Sequence, residues 1–320
     1  GPESIVFAAD VGKIDKIYPL LAYRESADPS YPEFKASSYK EAFNDLGVKG
    51  DRIRIGISSF LDTNAVMMES LRDEYPNAEI IEVKDIMVTL RSIKSENELA
   101  CMREGFRITE LAIDEVIKNI HPGATELQMV GIAQRVIYEN GAEYEGLPMY
   151  VFSEKSTSHA ISRSSHKVIE KGDLVQLNLS AKVDGYSPSI GMPISMGPLT
   201  GLKRELVEFG LEAHNWTEKQ IKAGVPAKDI ARGYYDLFVT NGYKDNFVYG
   251  PCHGTGMIEV EAPWMETNSP YKLERNMTFQ VDSFVATADF GLRWEKGIVV
   301  TDDGCEALCN PIGKIYELEF

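Results

Sequence analysis

The chain has 320 residues, 43% of them hydrophobic, enough for two domains that each bury a core without disulfides. Its 33 basic against 49 acidic side chains give a net charge of -16, which repels a phosphate backbone and an anionic lipid surface and argues against nucleic acid and membrane as partners. Cys101, Cys252, Cys305 and Cys309 are too few and scattered for a disulfide framework, so reduced thiols in a cytoplasmic setting are expected, and the Cys305/Cys309 pair lacks the partners of a zinc site.

In chain order, RIRIGISSF near residues 53–60 reads as a buried strand, Thr63 to Glu74 as a helix and Ala78 to Val83 as a second strand, an α/β pattern. A long amphipathic helix follows from Glu96 to Ile120, with Leu99, Met102, Phe106, Leu111 and Val116 near helical spacing. The domain boundary is placed at Thr89 to Ser95, giving domains 1–90 and 91–320. Thr125 with Gln128 forms a capping box for the next helix, which runs to Asn140-Gly141, and Pro- and Gly-punctuated β segments come after it.

An internal repeat constrains the second domain. Ile117-Lys118 before Pro122 recurs as Ile221-Lys222 before Pro226, and IEKGDLVQLN ending at Asn178 recurs as LERNMTFQVD ending at Asp282, both 104 positions on. The repeat predicts two similar helix-plus-sheet halves about an approximate two-fold axis, with positions 178 and 282 equivalent and facing one cleft. A histidine precedes each repeated strand, His159 in SHAISR and His253 in the Gly-rich GPCHGTG, so both are candidates for the cleft. His121, His166 and His214 read as surface residues.

GDLVQLN with DGYSPSIG, GPCHGTGMIEVEAP, NMTFQVD and LRWEKGIVVTDDG, preceded by LRSIKSENEL, resemble the pita-bread family of creatinase, aminopeptidase P and prolidase, the M24-type peptidases, from about Leu90 to Leu308. The resemblance implies an α+β fold of internally duplicated helix-plus-antiparallel-sheet halves. It also implies a smaller RNase H-like α/β domain before them, here short enough to read as incomplete, and a homodimer. Metal-dependent members hold two ions with two Asp, one His and two Glu. Those positions fall on Asn178, Ser189, His253, Asp282 and Glu295, and Val260 stands where a second histidine precedes the Glu261 position. A neutral amide and a hydroxyl in place of two carboxylates make a degenerate two-ion site.

The resemblance to creatinase and ectoine hydrolase, metal-poor relatives, supplies the leading expectation: a metal-independent C–N hydrolase of a small cationic or zwitterionic amidine, guanidino or amide compound. His159 falls at creatinase's catalytic histidine and is the expected base, with His253 and Glu295 also catalytic. Asn178, Ser189, Glu261, Asp282 and Arg293 are expected to bind substrate, the carboxylates raising one another's pKa unless a cation neutralises them. No cofactor is expected. The alternatives are an Xaa-Pro-type aminopeptidase or dipeptidase with a single divalent ion on His253, Asp282 and Glu295, and a non-catalytic binding protein.

Overall fold

The computed structural model describes residues 1–24, 36–310 and 312–320. The chain forms two units, Gly1–Thr89 and Leu90–Phe320. In the first, helices α1 (Ile5–Val11), α2 (Tyr39–Asp45) and α3 (Ala65–Glu74) accompany the parallel pair β1 (Arg54–Ile57) and β2 (Glu79–Glu82). Tyr39, Ile55, Ile57, Leu71 and Tyr75 make its core. The strand–helix–strand order is the one its hydrophobic runs predict. Helix α4 (Lys84–Ser92) runs through the boundary.

The second unit opens on α5 (Glu96–Asn119), started by a capping box in which Ser95 and Glu98 satisfy each other's backbone N–H groups. Its buried stripe runs Leu99, Met102, Phe106, Thr109, Ile113 and Val116. Leu111, expected in the core, is 38% exposed, because five residues beyond Phe106 is about 140° around a 3.6-residue helix. Helix α6 (Glu126–Glu139) carries the capping box of Thr125 and Gln128.

After α6 come β3 (Tyr150–Ser153), β4 (Leu174–Ser180) and β5 (Ser189–Ser195), then α7 (Gly201–Gln220) and α8 (Ala227–Thr240). The chain continues through β6 (Cys252–Gly254), β7 (Glu261–Met265), β8 (Thr278–Ala286), β9 (Gly291–Val300), β10 (Cys305–Ala307) and β11 (Tyr316–Glu317). The main path of the sheet is β3-β4-β5-β9-β8-β6-β7, antiparallel at every step, so the two repeats meet at β5 and β9. Strands β4 and β8 begin 104 positions apart, at Leu174 and Thr278, matching the repeat.

Alternation along β4 sends Val175, Leu177 and Leu179 into the large core cluster, while Gln176, Asn178 and Ser180 fall on the other face. Register then builds a row across four strands: Asn178 opposite Gly191, Gly191 opposite Glu295, Glu295 opposite Asp282. The cleft is therefore assembled by strand pairing.

His214, expected at the surface, is wholly buried on α7, with Nδ1 3.1 Å from the Trp294 carbonyl, which can only accept its proton. Burial, and then the charge of Lys296, pushes its pKa down to about 3. A folded pKa below the unfolded value of roughly 6.5 means the neutral form's stability is complete above that value and is lost as pH falls towards 3. We expect His214→Asn, which keeps the donor, to flatten the pH dependence of urea unfolding between pH 6.5 and 4 by up to about one proton; an unchanged slope counts against this assignment.

Candidate functional site

A cavity of about 350 Å³ lies against the polar face of the sheet, its polar floor formed by His253, Glu259, Asp282, Arg293 and Glu295. Leu147, Tyr150, Ile161, Val260, Trp264 and Met265 form an apolar wall, with Ile161 76% and Trp264 49% exposed at the mouth.

On the floor, His253 Nδ1 stands 2.9 Å from the carbonyl of Gly254 and so carries a proton, leaving Nε2 to face Glu295 Oε1 at 3.7 Å and Glu259 Oε1 at 3.8 Å. Ser189 Oγ lies 2.8 Å from Glu259 Oε1 and 2.9 Å from Glu295 Oε1, and Gln280 Nε2 donates to it at 3.1 Å. Asn178 Nδ2 donates to Glu295 Oε2 at 3.0 Å. Beside this group, Arg293 Nε stands 3.0 Å from Asp282 Oδ1, Tyr249 donates to Asp282 Oδ2 at 2.8 Å, and Arg293 Nη2 donates to Tyr249 at 2.6 Å and to the Ala160 carbonyl at 2.9 Å.

Burial decides the protonation of this group, and the neighbours then correct it. For Glu259 burial and the Glu295 charge together push the pKa up to about 8. Burial opposes charge on Glu295 too, but His253 and Arg293 outweigh it and hold that carboxyl well below its usual range. Burial also disfavours the His253 imidazolium, yet Glu295, Glu259 and Asp282 raise it to about 9. Asp282 is pushed up by burial, with Arg293 opposing. His253 and Arg293 are thus the basic groups set against the carboxyls of Glu295, Asp282 and Glu259, and burial drives Glu259 towards its protonated form.

The structure brings Asn178, Ser189, His253, Asp282, Arg293 and Glu295 together. His159 is exposed, on the segment whose next two residues, Ala160 and Ile161, line the cavity. Glu261 does not line it, because its carboxylate pairs with Arg91 and Lys94. Glu259 joins the floor instead, a residue the motif positions do not mark. Strand alternation carries no signal for it, since residues 256–260 form a bent loop between β6 and β7.

Two ions do not fit this floor. The Asn178 Oδ1 atom is buried without a partner and turned to the Gly191 backbone, Ser189 is already shared by two carboxylates, and both Asp282 oxygens face Arg293 or Tyr249. One ion does fit. His253, Glu259 and Glu295 each offer a ligand atom, all within 4.8 Å of one another and buried. The single-ion set expected from sequence had Asp282 where the geometry has Glu259.

This duplicated sheet with its charged cleft defines a pita-bread protein. The X-Pro aminopeptidase from Thermotoga maritima MSB8 superposes with a TM-score of 0.80 at 24% identity, over 89% of this chain and 80% of that one. Prolidase from Pyrococcus furiosus gives 0.79 at 23%, over 86% and 80%. The chain belongs to metallopeptidase family M24, whose sequence profile matches residues 100–302. Among curated relatives, the uncharacterized peptidase YqhT of Bacillus subtilis is 28% identical over 229 residues, 71% of this chain and 65% of that protein's length. The Xaa-Pro dipeptidase of Pyrococcus furiosus is 25% identical over 91% of this chain and 82% of its own. No described helix is long and apolar enough to cross a membrane.

Gly191 is the tight point of the floor: a Cβ there would stand 2.3 Å from Asn178 Oδ1 and 2.9 Å from Glu295 Cβ. Gly191→Ala is expected to destabilise the protein by about 1–3 kcal/mol in chemical denaturation and to displace Glu295; an unchanged midpoint contradicts the packing described.

Proposed function

We propose that this chain hydrolyses the amide bond of short Xaa-Pro-type peptides from a one-ion site made by His253, Glu259 and Glu295. The observation that carries the reading is that Glu259 restores a carboxylate to a floor on which Asn178 and Ser189 supply none. Family membership and the Xaa-Pro dipeptidases among the relatives support the reaction class.

A divalent ion on these three residues would supply Lewis-acid polarisation of the scissile carbonyl. Around it, Ser189 and Gln280 hold the facing oxygens of Glu259 and Glu295, and Asn178 fixes the other Glu295 oxygen. Arg293 and Tyr249 keep Asp282 oriented, the guanidinium pairing with its Oδ1 and donating to the Tyr249 hydroxyl that holds its Oδ2. The wall of Leu147, Tyr150, Ile161 and Trp264 accepts an apolar side chain or ring.

Elemental analysis and Mn²⁺ titration of the purified protein test this. About one ion per chain, hydrolysis of Xaa-Pro dipeptides that is lost on chelation, and at least about tenfold weaker Mn²⁺ binding in Glu259→Gln are expected, since losing even an outer-shell partner has that size. Two ions per chain overturn the one-ion geometry.

Zero ions would favour a second reading, which the placing of His253 and Arg293 against the Glu295 and Asp282 carboxyls supports: a metal-independent C–N hydrolase of a small cationic or zwitterionic amidine, guanidino or amide compound, with His159 as base. There, His159→Ala abolishes turnover while leaving the fold intact, and unchanged turnover removes His159 from the mechanism.

A further inference from the structure

The LRSIKSENEL segment brings two cations that the floor does not use, and both meet Glu261. Lys94 Nζ donates to Glu261 Oε1 at 3.1 Å, with both side chains almost wholly buried, and Arg91 Nη2 pairs with Glu261 Oε2. The same Oε2 accepts from the Ile258 backbone N–H at 3.2 Å, which closes residues 258–261 into a loop with Glu259 inside it. The preceding residues are held from the other side: Ser187 donates through N to the Gly256 carbonyl at 2.8 Å and through Oγ to the Met257 carbonyl at 3.0 Å. Gly256 itself is pressed against the anchor, since a Cβ there would lie 2.6 Å from Glu261 Oε1 and 2.9 Å from Lys94 Cε.

We propose that Arg91, Lys94 and Glu261 form a positioning anchor that aims Glu259 at Ser189 and His253. Glu261 touches no part of the cavity; it acts through the loop it closes. A buried carboxylate whose two oxygens accept from two cations and a backbone N–H is fixed in direction by three charge-assisted contacts, so the anchor holds the loop more firmly than a neutral hydrogen bond would. The ligand that Glu259 serves rests on the one-ion reading, whereas the placement of the loop does not.

Two measurements on the full chain separate these. In metal-free protein, Lys94→Met is expected to speed deuterium exchange of residues 255–260 relative to the rest of the sheet, and unchanged exchange overturns the anchor. In calorimetric titration with Mn²⁺ alone, Lys94→Met is expected to weaken binding about 10-fold and to add nothing in the Glu259→Gln background. An equal loss in both backgrounds means a general structural effect and overturns the anchor as well. If Lys94→Met fails to fold, Arg91→Gln, at a side chain 28% exposed, replaces it in both measurements. Wild-type protein that takes no Mn²⁺ while the exchange responds as expected sinks the one-ion reading and leaves the anchor standing.

Discussion

The two halves of the sheet are joined by little backbone. Strands β5 and β9 share one registered pair, Gly191 with Glu295, and two glutamines supply what the ladder omits. Gln176 accepts from the Arg293 N–H at 2.7 Å and donates to the Arg293 carbonyl at 3.1 Å, while Gln280 donates to the Ser189 carbonyl at 3.0 Å. Each glutamine thus binds backbone in the opposite half, and the repeat makes the two equivalent. Buried backbone groups must find partners, so this reciprocal pairing lets the seam part slightly without leaving them orphaned.

That seam also decides which charges meet. Glu295 has glycine as its cross-strand partner, so its side chain lies where a second one would have stood, within reach of Asn178, Ser189 and His253. Asp282, one strand further, is drawn to Arg293 and Tyr249. The floor splits into two electrically different parts: the carboxylate–guanidinium pair of Asp282 with Arg293, and a histidine facing the carboxyl groups of Glu259 and Glu295.

Much of this was readable in the chain. A single displacement of 104 positions marks the duplicated strands, and period-two alternation in LVQLNLS announces which residues leave the core. Binary patterns of this kind survive because they report burial, the dominant driving force of folding. The failures were of another type. Leu111 and His214 were misplaced because neighbouring apolar or polar character masked the true phase of α5 and α7. Glu261 was expected to bind substrate and Glu259 was passed over because a motif records residue order, whereas the direction of a side chain in a bent loop depends on what holds the loop. The cations that claim Glu261 lie 167 and 170 positions earlier, a separation no local pattern spans.

Ser189 owns a single hydroxyl hydrogen, yet it lies at hydrogen-bond distance from two carboxylate oxygens at once. One of those contacts must be bridged by a hydrogen borrowed from a carboxyl group. On the one-ion reading, a proton and the ion would therefore claim the same oxygens of Glu259 and Glu295. Acidity of the medium would then bear on occupancy alongside the concentration of the ion itself.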